Sequence, residues 1–195
     1  MNSIGGQRVD ELLASIGAKT PAPGGGAVTG LVGAVGAALA QMVVAYSVGS
    51  KKLESHRPAL EQAAERLRDA RDQLLALADA DAQAYAHYNA LEKDDPQRPS
   101  AALACIRVPL DVIDTCARLM DLCRDLAPIS NRYLRSDLAI AAILTEAVAR
   151  ASMCNVRINL PLVADGGLAA SSRERGEAGL ARCAERLAGV LEACA

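Results

Sequence analysis

Phenylalanine and tryptophan are absent from this 195-residue chain, and tyrosine occurs only four times. A core without large rings must be assembled from Ala, Leu, Val and Ile, which suits helices packed at short range. Hydrophobic residues still make up 51% of the chain, enough for residues 1–195 to bury a substantial core as one domain. Histidine is scarce as well: His56 and His87 are the only two, and no C-x-x-C occurs. A zinc site is not expected on that spacing. The net charge of -2 provides no basic footprint for nucleic acid. The first ten residues lack the charged-then-apolar layout of a signal peptide, so a cytoplasmic protein is expected. The six scattered cysteines are then expected to be reduced, with Cys116, Cys123 and Cys183 at apolar helical positions as small hydrophobes.

Charge is missing locally too. Between Lys19 and Lys51 there is no charged residue, and the stretch opens with Thr20-Pro-Ala-Pro-Gly-Gly-Gly26. Pro21 and Pro23 stiffen the approach and push their neighbours out of helical geometry. Gly24, Gly25 and Gly26 then allow either a positive φ or a very close approach to another group. The following segment, Ala27–Val48, is too apolar for a surface helix and is studded with Gly and Ala. Free N–H groups at its start form a cradle for an oxyanion or carbonyl. The other reading is a membrane span, for which the length suffices. The run is poor in leucine, has no aromatic belt and stands alone beside long polar helices, which favours a helix buried in protein and no membrane. Such a helix needs cover on all sides, and a homodimer interface would supply it.

Nearly every segment has a helical period, and no alternating apolar–polar run points to a sheet. The expected fold is all-α with about six helices: Arg8–Ile16, Ala27–Val48 ending at Gly49, Pro58–Leu91, Ala101–Leu126, Ser136–Leu160 and Ser172–Ala193. Pro109 predicts a kink or break near Arg107. Ser136 is the expected N-cap of the fifth helix, with Asp137 in its first turn. Residues 161–167 read as a loop.

In the third helix Leu60, Leu67 and Leu74 mark an apolar stripe at seven-residue intervals, and the next position is Asp81; Tyr85 shares that side. A carboxylate on a core-facing stripe is desolvated, which raises its pKa and poises it for proton transfer near neutral pH. The alternative role is a structural carboxylate that caps a neighbouring helix. Asp79 points the opposite way and is expected to be mostly solvated. In the fifth helix Asn155 and Asn159 lie one turn apart and present amide donors and acceptors to whatever they meet, either a ligand or an inter-helix ladder. Arg157 lies off that face, within reach of an anion or a partner chain. Lys51 and Lys52 suit either the dipole of the preceding helix or a ligand carboxylate.

These pieces, in this order, resemble the cyclodeaminase domain of formiminotransferase-cyclodeaminase and the related methenyltetrahydrofolate cyclohydrolases. Pro21-Ala-Pro-Gly-Gly-Gly26 resembles the family's Pro-x-Pro-Gly-Gly-Gly turn, and Gly49-Ser-Lys-Lys52 its Gly-Lys-Lys-Lys segment. Asp81-Ala-Gln-Ala-Tyr85 is similar to an Asp-x-Glu-Ala-Phe pattern. Ser136-Asp137 and Asn155-Val-Arg-Ile-Asn159 resemble the motifs of its Ser-Asp…Asn-Val-x-Ile-Asn helix. The resemblance implies a metal-free helical homodimer acting on a tetrahydrofolate derivative at the bridge between N5 and N10. It also implies Asp81, or failing that Asp137, as the proton-transfer group. Gly24 to Gly26 would then cradle the substrate, Asp137, Asn155 and Asn159 would bind the pterin edge, and Lys51, Lys52 and Arg157 would face its anionic tail, with Pro23, Tyr85 and Ser136 as further candidate substrate-binding residues. The chain departs from the pattern at Ser50, Leu53, Tyr85 and Tyr133. Tyr133 and Ser50 motivate a second reading, an enzyme of the same fold with a different substrate; a third, a non-catalytic dimeric ligand-binding protein that keeps only the packing motifs, is opposed by the carboxylate of Asp81 on the core stripe.

Overall fold

A computed structural model describes residues 3–195. Among them there are six α-helices and no strand: α1 (Val9–Ile16), α2 (Gly25–Val48), α3 (Arg57–Ala90), α4 (Arg98–Leu126), α5 (Arg135–Asn159) and α6 (Gly166–Cys194). Helices α2 to α5 form a bundle. α2 packs along α3 and α5, α4 closes the far side against the same two helices, and α6 lies against α4 and α5.

The stripe read from the third helix is the spine of the core. Leu60, Leu67 and Leu74 are fully buried, alongside Val43, Val44, Leu119, Met120 and Leu138; each such side chain contributes about 2 kcal/mol by leaving water. Small residues replace rings here because the helices approach backbone to backbone. A β-carbon at Gly30 would come within 2.7 Å of the Leu74 carbonyl and 2.8 Å of the Ala78 nitrogen, so any side chain there would force α2 away from α3.

Several boundaries differ from the sequence-based expectation, each for a local reason. Gly25 and Gly26 are the first residues of α2 rather than its approach, and no glycine has a positive φ; of the two, Gly26 is the one that a close approach requires. The fifth helix starts at Arg135, after a single 3-10 turn (Arg132–Leu134) capped by the Asn131 side chain. Ser136 is therefore an exposed residue of the first helical turn, not the N-cap. The last helix starts at Gly166 because Asp165 accepts hydrogen bonds from the N–H groups of Gly167 and Leu168. The break expected near Arg107 does not occur, and α4 runs through a buried Pro109.

The segments Gly25–Val48 and Arg132–Leu162 are long and apolar enough to cross a bilayer by length and composition, and about half of each is packed inside the protein. Val35 is 53% exposed, Ile140 47% and Ile143 45%. The cover that α2 requires is thus incomplete within a single chain.

Candidate active site

At the N-terminal end of α2 a cleft of about 260 Å³ is lined by Gly24, Gly25, Gly26, Asp81, Asn155 and Asn159, with Tyr85 and Ile158 at its rim and Cys105 in its wall. Three separate local rules build it. The heptad continuation on α3 delivers Asp81, the glycine run on α2 leaves room for it, and the one-turn spacing on α5 brings both asparagines to the same side.

Asp81 is half-buried, and its carboxylate lies against the Gly26 backbone. A β-carbon built on Gly26 would sit 2.0 Å from Oδ1, so the side chain occupies the volume that glycine leaves empty. Burial pushes the carboxyl above its ordinary range, while the Ala27 N–H, at the free start of α2, donates toward it and pulls the other way. Asp81 thus meets the Ala27 N–H at the start of α2 and also lines the cleft. No cationic side chain lines this cleft, which leaves its proton free to be shared with a ligand rather than locked in an ion pair. Burial and the charge of Asp81 together raise the Cys105 thiol, so it stands beside the carboxylate as a neutral group.

Asn159 has a specific structural task. A proline at position 109 removes the N–H that would bond the carbonyl four residues earlier, that of Cys105. The Asn159 Nδ2 donates to that carbonyl at 2.8 Å. This repair keeps α4 continuous through Pro109 and fixes Asn159 with its oxygen still available. Asn155 keeps its amide at the cleft, with Oδ1 3.8 Å from where a Gly25 β-carbon would stand.

The other residues singled out from sequence lie elsewhere. Pro23, preceded by a cis peptide bond, lines an adjoining hollow beneath the N-terminal segment together with Asp79. Asp79 is not solvated as expected: it accepts from the Ile4 N–H at 2.8 Å and the Ser3 hydroxyl at 2.7 Å. Arg157 is exposed and faces Glu177 of α6 at 3.9 Å. Asp137 and Ser136 open α5, about 27 Å from Asn155 at 1.5 Å per residue. Lys51 and Lys52 follow α2 and line a second hollow of about 570 Å³ with Arg132, Tyr133 and Arg135. Ser50 and Leu53 line it too, so three of the four departures from the family pattern fall there and leave the Asp81 cleft intact. Cys105 and Ile158 are site residues that sequence reasoning missed. The Asn155–Asn159 spacing places Ile158 beside the cleft, whereas Cys105 carries no local signal.

The all-helical bundle thus seats a half-buried carboxylate on a glycine-lined helix start, flanked by two amides. The chain belongs to the formiminotransferase-cyclodeaminase family, whose model matches residues 8–178. It is 34% identical over 171 residues to the formimidoyltransferase-cyclodeaminase of Sus scrofa, covering 82% of this chain and 32% of that protein. The chain thus spans about a third of the length of this mammalian relative. It is 28% identical over 167 residues to the methenyltetrahydrofolate cyclohydrolase of Methylorubrum extorquens, covering 80% of each. The crystal structure of formiminotetrahydrofolate cyclodeaminase from Thermotoga maritima matches with a TM-score of 0.89 at 31% identity, over 97% of this chain and 98% of that one.

Proposed function

We propose that the chain is a tetrahydrofolate one-carbon enzyme, a cyclodeaminase that closes formiminotetrahydrofolate to the methenyl form with loss of ammonia. The observation that carries the reading is Asp81: a carboxyl raised by burial, in a cleft with amides on one side and free helix N–H groups on the other. Family membership supports the substrate, and the near-complete match to a cyclodeaminase fold supports the deaminase direction.

The chemistry needs one proton moved between two nitrogens on the same carbon. In a protonated N5-formimino group, N10 attacks the formimino carbon and the C=N electron pair moves to the terminal nitrogen. Asp81 accepts the proton from N10 and returns it to that nitrogen, the C–N bond breaks, and ammonia departs with the bonding pair. The methenyl cation that remains carries the original positive charge. A carboxylate with its pKa raised toward neutrality is suited to both halves of this transfer. The same group would take a proton from water attacking the methenyl carbon, which is the cyclohydrolase reaction named for the Methylorubrum relative. Asn155 and the Asn159 oxygen are placed to orient the pterin edge. We read the chain as working as a homodimer without a metal, so dialysis against a chelator should leave turnover unchanged.

Absorbance of the methenyl chromophore tests the proposal, with formimino- and methenyltetrahydrofolate offered separately. A rise with the first supports the deaminase, a fall with the second alone moves the assignment to the cyclohydrolase, and no change with either overturns the folate reading.

A further inference from the structure

Two amides line the Asp81 cleft, and they are not equivalent. Among the described residues the Asn155 side chain makes no hydrogen bond, so either end of its amide can turn to a ligand. Asn159 has no such choice. Pro109 is buried inside α4 and leaves the Cys105 carbonyl without its backbone donor. The Asn159 Nδ2 supplies that donor at 2.8 Å. Only the nitrogen end of an amide can donate, so the Asn159 Oδ1 is left for a ligand as a fixed acceptor. Turning the amide over would set two oxygens against each other and leave a carbonyl in the cleft wall unpaired.

The α2 side of the cleft has the reverse polarity. Gly25 and Gly26 open the helix with no side-chain cap, and their N–H groups are donors by position. The next N–H, that of Ala27, already points to Asp81. A ligand must therefore bring an acceptor toward α2 and a proton-bearing atom toward Asn159. At about 260 Å³ the cleft is too small for a whole folate, so the atoms read in this way are those nearest the reacting carbon. There a formimino group and a formyl group differ by a single atom. The first ends in an N–H, and the second in a bare oxygen of nearly the same shape.

We propose that Pro109 is a positioning residue that sets specificity: by holding the Asn159 amide to α4 in one orientation, it makes the cleft accept the N–H of a formimino group and reject the oxygen of a formyl group. The choice of ligand rests on the folate reading above, whereas the fixed orientation of the amide does not. Pro109 is not among the residues that line the cleft. Its effect passes through the Cys105 carbonyl and the Asn159 amide.

Pro109→Ala and Pro109→Gly both return the N–H to α4 and release Asn159. Glycine is much the poorer helix former, so an effect of altered stability would separate the two variants, whereas an effect of the restored N–H is common to both. The first measurement needs no ligand. In the wild type the side-chain amide protons of Asn159 should exchange with solvent at least about tenfold more slowly than those of Asn155, and the gap should narrow in both variants. Equal rates in the wild type overturn the fixed orientation. In the second, 5-formyltetrahydrofolate is offered as a competitive inhibitor of formiminotetrahydrofolate turnover. Its Ki in the wild type should exceed the KM of the formimino substrate by about tenfold or more. In both variants that Ki should fall by about the same factor, while KM shifts by less than about threefold. A wild-type Ki as low as KM, a ratio of Ki to KM that neither variant changes, or a change in only one of them overturns the proposal. If the wild-type chain turns over no formimino substrate, the functional reading fails, and the exchange rates still decide whether Pro109 fixes the amide.

Discussion

The Asp81 carboxylate occupies the space that a side chain on Gly26 would need, so the acid and the glycine are a single unit contributed by two helices. Gly26→Ala should expel the carboxylate from the start of α2. The expected outcome is retained helical circular dichroism with turnover reduced to the level of Asp81→Asn, which itself should fall by about two to four orders of magnitude. Adding Asp81→Ala to Gly26→Ala should relieve part of the folding cost, because the smaller side chain leaves room for the new methyl. If the Gly26→Ala defect is the same with either residue at 81, the two are not coupled.

Stability should report the raised carboxyl of Asp81 as well as rate. The folded chain binds that proton more tightly than the unfolded chain does, because burial disfavours the charged form. Asp81 therefore adds stability at acidic pH, and this contribution is lost as pH rises through its folded-state value. The Tm of Asp81→Asn minus that of wild type should accordingly increase from about pH 4 to about pH 8. A difference that falls over this range would mean that the Ala27 N–H outweighs desolvation and holds the carboxyl low.

Asn159 and Pro109 should behave as a coupled pair. Asn159→Ala leaves the Cys105 carbonyl without its donor, at a cost of about 1–3 kcal/mol. In a Pro109→Ala background the restored backbone N–H can serve that carbonyl, so the same substitution should cost much less. Chemical denaturation of the four proteins in the cycle measures the coupling.

Asp79 is a tether rather than an idle neighbour of Asp81. Asp79→Asn should cost about 1 kcal/mol and speed amide exchange at Ile4, whose N–H bonds to it. Turnover should change little, since Asp79 faces the adjoining hollow. A rate loss matching that of Asp81→Asn would place the proton transfer on the wrong carboxylate.

The legible parts of this protein were those with a local period. The heptad Leu60–Leu67–Leu74 pointed to Asp81 because a helix repeats its face whatever it packs against. The glycine turn was legible as a place of close approach, although not as the first turn of α2. What escaped depends on partners remote in sequence. Pro109 reads as a break until the amide of Asn159 is brought to it from another helix. Asp79 reads as solvated until the N-terminal segment folds onto it. Lys51 and Asp81 lie at opposite ends of α2 within one chain, a separation that motif order does not reveal. Ser136 is not a cap because a 3-10 turn, itself capped by Asn131, runs directly into α5, and such a turn leaves little trace in periodicity.

The repair at Pro109 has an evolutionary consequence. A lineage that replaced this proline would release the Asn159 amide from its duty to the Cys105 carbonyl, and one that lost the asparagine first would carry a strained helix in the wall of its cleft. The two positions, 50 residues apart, should therefore be inherited together and change together. Where they have parted, the freed amide is a new polar group beside Asp81, on which selection for a different substrate could act.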